Sequence, residues 1–169
     1  MIVVMDEIVG NSTFQSDCIK LLHQNEEKTN EINFNEKWYS LEEDHIFRDF
    51  CIQLINVAGN FYDLSSCIGY EFWSHNNTTP RGWHIDQDEQ LNGTTGQTRF
   101  PLCSMIYYLK IDNLRRGKLH IEDDIITPKS NRLVIFSPQL NHCVEPYMGD
   151  RIALCVNPWS TKLWLTILF

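Results

Sequence analysis

The chain has 169 residues, of which 43% are hydrophobic, and it carries a formal net charge of −8 with a pI near 5.1. This length and composition suit one globular domain with a core of its own. The acidic balance would repel a phosphate backbone, so we expect no nucleic-acid partner.

The six cysteines are scattered along the chain and show no Cys-x-x-Cys spacing, so we expect most of them to be reduced core residues. The opening MIVVMDE lacks the basic flank of a signal peptide. The closing WLTILF is far shorter than the roughly 20 apolar residues that a spanning helix needs. These features predict a cytoplasmic protein with no membrane partner.

Residues 1–65 carry helical signals, and we expect them to form supporting helices. Ser12 or Thr13 can cap a first helix that runs to about Glu27. A second helix is predicted from the capping-box pattern at residues 40–43, Ser-Leu-Glu-Glu, because apolar residues continue at helical spacing as far as a glycine.

From Cys67 onward, short runs of β-branched and aromatic residues alternate with turn residues, which predicts strands. The predicted strands are 67–75, 82–86, 100–111, 117–122, 132–137, 142–147 and 151–158.

Strands in this number, preceded by helices, favour a mainly β fold in which two sheets form a jelly roll with helices on one outer face. We expect one domain over residues 1–169, with the jelly roll at 66–160 and a C-terminal apolar segment at 161–169. An immunoglobulin-type sandwich is the alternative, but it has no use for polar residues inside the strands.

The stretch GWHIDQDE places a His and an Asp one residue apart in a predicted strand. On an extended chain His84 and Asp86 project from the same face. His142 follows a later strand and turn, and the intervening strands can return it beside this pair. Two imidazoles and one carboxylate leave coordination positions open, which suits non-haem Fe(II). The alternative for His84 and Asp86 alone is a surface strand with two solvated polar residues.

Arg151 follows YMGD, which we predict to be a hairpin. In the next strand it would face away from Ile152 and Leu154, toward a polar pocket. A guanidinium inside a barrel is costly unless it meets a carboxylate. That carboxylate belongs either to a protein side chain or to a ligand.

The order His84-x-Asp86, His142 and Arg151 resembles the iron(II)- and 2-oxoglutarate-dependent dioxygenases, and more narrowly their prolyl-hydroxylase-like branch. The resemblance covers roughly residues 66–160 and extends to SMIYYLK, RGKLHIED and ITPKSNRLVIFSPQLNHCVEP. It implies a double-stranded β-helix in which the two His and the Asp bind Fe(II). It also implies that Arg151 pairs with the distal carboxylate of 2-oxoglutarate.

The resemblance further implies that Tyr108 hydrogen-bonds the same carboxylate and that Leu119 lines the co-substrate pocket. A core tyrosine and an ordinary jelly-roll leucine are the alternatives. The chain departs from the family at two turns, where it carries Arg116-Gly117 in place of two glycines and Asn131 in place of a frequent Gly. Asn tolerates the left-handed conformation that such a turn needs.

The polar loop at 87–99 is interpreted either as a lid over the site or as a plain connection. Asp88 and Glu89 within it are expected to be solvated rather than catalytic.

The implied activity is hydroxylation of an unactivated C–H bond with Fe(II), 2-oxoglutarate and O2, giving succinate and CO2, with ascorbate as a candidate reductant. The favoured substrate is a prolyl residue of a peptide or protein, and a free amino acid or another small molecule is the alternative. A non-catalytic, cupin-like metal- or ligand-binding jelly roll is a further alternative. The remaining enzymatic alternative is a cupin-type metal enzyme, such as an isomerase or a dioxygenase without co-substrate. Cupins generally carry His-x-His with a later Glu and His, and this chain has no His-x-His.

Overall fold

The computed structural model describes residues 1–10, 15–20, Leu22, 37–75 and 82–163. Within these ranges the chain is mainly β, as expected. No helix in this part of the chain is long and apolar enough to cross a bilayer.

The described elements are nine strands and two helices, and residues 15–20 are helical as well. The helices are α1 (Arg48–Ala58) and α2 (Glu89–Thr95). The strands are β1 (Ile2–Asp6), β2 (Lys37–Ser40), β3 (Gly69–His75), β4 (Ser104–Arg116), β5 (Leu119–Ile121), β6 (Asp124–Ile126), β7 (Arg132–Phe136), β8 (His142–Val144) and β9 (Tyr147–Trp159).

The strands form two antiparallel sheets. The larger has the order β1-β7-β4-β9-β3-β2, and the smaller has the order β6-β5-β8. The sheets share an apolar cluster to which strands of both contribute. Its members are Ile106, Tyr108, Leu119, Ile121, Ile126, Val134, Phe136, Val144, Ala153 and Cys155.

Helix α1 packs against β9 of the large sheet. Its predicted apolar face is buried, with Leu54 and Ala58 fully inaccessible to solvent. Leu154 and Val156 of β9 belong to the same apolar cluster as this helix. The large sheet therefore separates a helix-covered core from the space between the sheets.

The predicted start of the second helix is wrong. Ser40 ends strand β2, and the helix begins at Arg48. The Glu43 N–H does donate to the Ser40 hydroxyl at 3.1 Å, but this bond closes a turn after the strand. Residues 37–40 pair in register with β3, and this ladder overrides the local capping pattern.

The N-terminal region also contributes more than supporting helices, since β1 and β2 are the two edge strands of the large sheet. Residues 15–20 agree with the predicted first helix, whereas Ser12, Thr13 and Glu27 lie outside the described residues.

The predicted hairpin at YMGD is also wrong. Tyr147 to Asp150 lie inside the long strand β9, where they pair with the extended end of β4. The chain turns at Arg116 and Gly117, which have φ angles of 65° and 77°, and again at residues 145–146, immediately before β9.

The predicted strand at 82–86 is reduced to a single bridge at His84.

The loop at 87–99 contains helix α2, and Asp88 is its N-cap rather than a solvated side chain. Asp88 is only 3% exposed, and its Oδ1 accepts a hydrogen bond from the Leu91 N–H at 2.9 Å. This cap satisfies a backbone donor that the short helix would otherwise leave free. Glu89 is exposed, as expected.

Asn131 has a φ of 62°, in the left-handed region that we expected this residue to tolerate. Its side chain joins three parts of the fold. Oδ1 accepts from the Val9 N–H and the Tyr107 hydroxyl, each at 3.0 Å, and Nδ2 donates to the Val9 carbonyl at 2.9 Å. Asn131 therefore supplies both a turn conformation and a connection between the N-terminal segment and β4.

We expect Asn131→Ala to lower the free energy of unfolding by about 2–4 kcal/mol, because it adds left-handed strain and removes these side-chain hydrogen bonds. Asn131→Gly relieves the backbone strain but still loses the hydrogen bonds. It should therefore lower the free energy of unfolding by about 1–2 kcal/mol less than the alanine variant does. Urea denaturation measures both. Equal losses in the two variants would contradict a contribution from the backbone conformation.

Candidate metal centre

His84, Asp86 and His142 lie together at one end of the space between the sheets. One ligand atom from each lies within 4.8 Å of the others. Asp86 Oδ1 is 3.8 Å from Nε2 of His84 and 3.8 Å from Nε2 of His142. The structure thus brings together the three residues that the sequence pattern selected, in an arrangement that a single metal ion can bridge.

The local backbone explains this proximity. His84 and His142 are paired in an antiparallel bridge, and the N–H of each donates to the carbonyl of the other at 3.0 and 2.9 Å. Side chains of directly opposed residues project from the same face. The N–H of Asp86 donates to the Pro138 carbonyl at 3.0 Å, which attaches the next part of the segment.

Hydrogen bonds to backbone carbonyls define the tautomer of both imidazoles. Nδ1 of His84 lies 2.7 Å from the Gly82 carbonyl, and Nδ1 of His142 lies 3.1 Å from the Leu140 carbonyl. A carbonyl only accepts, so in each neutral ring Nδ1 carries the proton and Nε2 keeps its lone pair. Metal-binding histidines are commonly oriented in this way. The donor set fits a divalent transition metal.

Ser104 completes the surroundings of Asp86, and the sequence interpretation missed it. Its hydroxyl donates to Asp86 Oδ2 at 2.6 Å, while Oδ1 faces the two imidazoles. One sequence signal was available, since alternation along β4 places Ser104 on the same face as Ile106 and Tyr108.

A cavity extends from this cluster toward Arg151. Apolar side chains form much of its wall, and His75 and Asn157 add polar groups. The lining residues are Trp73, His75, His84, Asp86, Met105, Ile106, His142, Val144, Arg151, Cys155 and Asn157.

Arg151 is only 3% exposed, and it lies on the cavity side of β9 as predicted. Its Nε and Nη1 atoms are buried and have no hydrogen-bond partner among the described residues. The guanidinium carbon lies 5.2 Å from the Tyr108 ring centroid and 5.5 Å from that of Tyr147. Aromatic faces partly compensate the charge, but no described carboxylate forms an ion pair with it.

The Tyr108 hydroxyl is fully buried and also has no hydrogen-bond partner among the described residues. Burial raises the pKa of Tyr108, and the nearby Arg151 guanidinium opposes this effect. The net pKa is raised, so the hydroxyl stays protonated and can donate. Leu119 belongs to the same buried cluster as Tyr108 and is not among the residues that line the cavity.

No family model and no curated protein sequence matches this chain. Solved structures do match it in fold. A viral collagen prolyl hydroxylase from Paramecium Bursaria Chlorella virus-1 is 14% identical, with a TM-score of 0.63 over 95% of this chain and 90% of that chain. A second structure of that viral protein, a 2OG complex, is 13% identical with a TM-score of 0.58 over 93% and 94% of the two chains.

Two further matches are similar in extent. A prolyl-4-hydroxylase from Pseudomonas putida is 13% identical, with a TM-score of 0.65 over 94% of this chain and 92% of that chain. A prolyl hydroxylase from Trichoplax adhaerens, in complex with a hypoxia inducible factor peptide fragment, is 12% identical, with a TM-score of 0.60 over 94% and 83%. The fold is a double-stranded β-helix. The jelly-roll prediction is thereby confirmed.

We expect His142→Ala to abolish binding of Fe(II) or of Co(II) as its spectroscopic substitute, because it removes one of three donor atoms. The loss of metal affinity should exceed the roughly 10–100-fold loss that follows removal of a residue that only hydrogen-bonds to a metal ligand. Anaerobic titration followed by Co(II) absorption measures it.

The matched control is His120→Ala, since His120 lies in the neighbouring strand β5 and pairs with Glu145 at 2.7 Å outside the cluster. Stoichiometric metal binding by His142→Ala at wild-type affinity would refute the assignment of His142 as a ligand.

Proposed function

We propose that this protein is an Fe(II)- and 2-oxoglutarate-dependent oxygenase that hydroxylates an unactivated C–H bond and releases succinate and CO2. The observation that carries the proposal is the buried guanidinium of Arg151. It lines the same cavity as the His84, Asp86 and His142 cluster, and two of its nitrogens lack partners among the described residues.

A buried charge without a partner costs several kcal/mol, so the fold maintains this Arg against a penalty that a ligand can offset. A carboxylate fits the planar donors of the guanidinium through two charge-assisted hydrogen bonds. The Tyr108 hydroxyl is a further buried donor beside it. A dicarboxylate could pair one carboxylate with Arg151 and reach the metal cluster with its other end, because both line this cavity. In 2-oxoglutarate, the keto and adjacent carboxylate oxygens can chelate a metal while the distal carboxylate remains available.

In this proposal the Nε2 atoms of His84 and His142 and Oδ1 of Asp86 would hold Fe(II). Bound there, Fe(II) and 2-oxoglutarate would supply the oxidation chemistry with O2, and ascorbate would serve as a reductant that keeps iron ferrous. The chain orients the participants. Apolar residues of the wall, such as Ile106 and Val144, exclude water from the reacting centre.

We further propose a prolyl residue of a peptide or protein as the substrate. The support is that the matched structures include a collagen prolyl hydroxylase and a prolyl hydroxylase with a bound peptide. A related fold does not by itself select a substrate, so a free amino acid or another small molecule is an outcome that the assay below distinguishes. We also propose a cytoplasmic location, which the scattered and mostly buried cysteines, without Cys-x-x-Cys spacing, support.

We expect Arg151→Ala to weaken 2-oxoglutarate binding by roughly 30-fold or more. Loss of a desolvated charge pair costs on the order of 2–5 kcal/mol of binding free energy, and about 1.4 kcal/mol corresponds to a tenfold change in the dissociation constant. Arg151→Lys should bind 2-oxoglutarate with intermediate affinity, because it keeps the positive charge and loses the planar guanidinium that donates two parallel hydrogen bonds. Anaerobic calorimetric titration of the Fe(II)-loaded proteins measures the dissociation constants.

Arg99→Ala is the matched control, because this partly exposed Arg does not line the cavity and pairs with Asp88 at 3.9 Å. Fe(II) affinity without co-substrate should be unchanged in Arg151→Ala. Equal 2-oxoglutarate affinities in wild type and Arg151→Ala, together with a lower melting temperature, would instead assign Arg151 a purely structural role.

We expect the Fe(II)-loaded protein to convert 2-oxoglutarate slowly to succinate without a primary substrate, and a prolyl peptide to accelerate this conversion. Succinate release with proline-containing peptides, matched alanine peptides and free amino acids identifies the substrate class. His84→Ala is the background control. Absence of succinate above this control with every candidate would count against the oxygenase proposal, and acceleration by a free amino acid alone would replace the prolyl assignment.

A further inference from the structure

Ser104 is the first residue of β4 and is 1% exposed. Its hydroxyl donates to Asp86 Oδ2 at 2.6 Å, at the short end of the range for O–H···O hydrogen bonds. The backbone N–H of Asp86 donates to the Pro138 carbonyl. Backbone and side chain of Asp86 are therefore held from two separate parts of the fold.

The two carboxylate oxygens of Asp86 have different neighbours. Oδ2 accepts from Ser104, and Oδ1 lies 3.8 Å from Nε2 of His84 and from Nε2 of His142. From this geometry we infer that Ser104 is a positioning residue that makes Asp86 a ligand through one oxygen. The inference rests on the proposed function, and it concerns how many coordination positions the protein leaves open.

The number of open coordination positions depends on how Asp86 binds. If His84, Asp86 and His142 each supplied one donor atom, the ion that they hold would keep positions for a chelating 2-oxo acid and for O2. If Asp86 bound through both oxygens, one of those positions would be lost. The Ser104 hydroxyl opposes this, because two-oxygen binding would require the hydrogen bond to Oδ2 to be weakened or broken.

A purely structural role for Ser104 makes a different prediction. A buried hydroxyl needs a partner, and Asp86 would then serve only as an acceptor that satisfies it. In that case removal of the hydroxyl lowers stability and leaves the binding of metal and co-substrate unchanged.

The experiment compares wild type with Ser104→Ala and with the pair Ser104→Thr and Ser104→Val, which differ from each other only in the hydroxyl. Ser130→Ala is the control, because the Ser130 hydroxyl accepts from the Ile111 N–H at 2.8 Å outside the cavity. Three quantities are measured anaerobically: the Fe(II) dissociation constant, the 2-oxoglutarate dissociation constant of the Fe(II)-loaded protein with its charge-transfer absorption, and the melting temperature of the metal-free protein.

We expect Ser104→Ala and Ser104→Val to weaken Fe(II) or 2-oxoglutarate binding by about 10–100-fold and to alter the charge-transfer absorption. Ser104→Thr should stay within a few-fold of wild type, and Ser130→Ala should lower only the melting temperature. If Ser104→Ala does not fold, the ligand affinities of Ser104→Thr and Ser104→Val alone test the role of the hydroxyl.

Equal affinities and equal absorption in Thr and Val variants, with wild type binding both ligands, would overturn the inference and leave the proposed function standing. Failure of wild type itself to bind Fe(II) and 2-oxoglutarate would overturn the proposed function, and the inference with it.

Discussion

The geometry of the cavity depends on one backbone pairing, the bridge between His84 and His142. Two hydrogen bonds, at 3.0 and 2.9 Å, attach an otherwise irregular segment to strand β8. Because the residues are directly opposed, their rings project together and lie 4.1 Å apart between centroids. A shift of this register by one residue would turn one imidazole to the opposite face. The whole donor cluster would then be lost.

The second constraint is the two-sided character of β9. Leu154 and Val156 face the helix-covered core, whereas Arg151 and Cys155 face the cavity. Burial of the apolar side contributes the free energy that holds the strand in place. The opposite side can therefore carry a guanidinium and an amide at positions where a purely structural sheet would carry apolar residues. This strand thus buries apolar side chains on one face and presents polar side chains to the cavity on the other.

The sequence interpretation succeeded where a strong local pattern and the tertiary structure agree. The apolar face of α1, most strands of the jelly roll and the grouping of His84, Asp86 and His142 were predicted from periodicity and order along the chain. It failed where tertiary pairing overrides a local signal. The capping-box pattern at Ser40 lies at the end of a strand, and the residues of YMGD continue a ladder with β4.

The contact of Ser104 with Asp86 was beyond reach of the sequence for a similar reason. Alternation along β4 places Ser104 on the cavity face, but its partner lies 18 residues earlier in another segment. The capping of α2 by Asp88 is different, because Asp88 accepts from Leu91 only three residues later, and an Asp before a helix is a local signal that the sequence interpretation overlooked.

The amino-acid sequence specifies which chemical groups are available: two imidazoles, a carboxylate and an arginine, set in a β-rich chain whose alternation assigns each to a face. Three features emerge only on folding. Arg151 is buried with no carboxylate of the described residues in an ion pair with it, Nδ1 of each histidine faces a backbone carbonyl while Nε2 faces Asp86, and Oδ2 of Asp86 accepts from Ser104. Alternation is a property of the local backbone, which repeats along each strand. Distances between strands depend on sheet register and packing, and these arise from contacts between residues far apart in the chain.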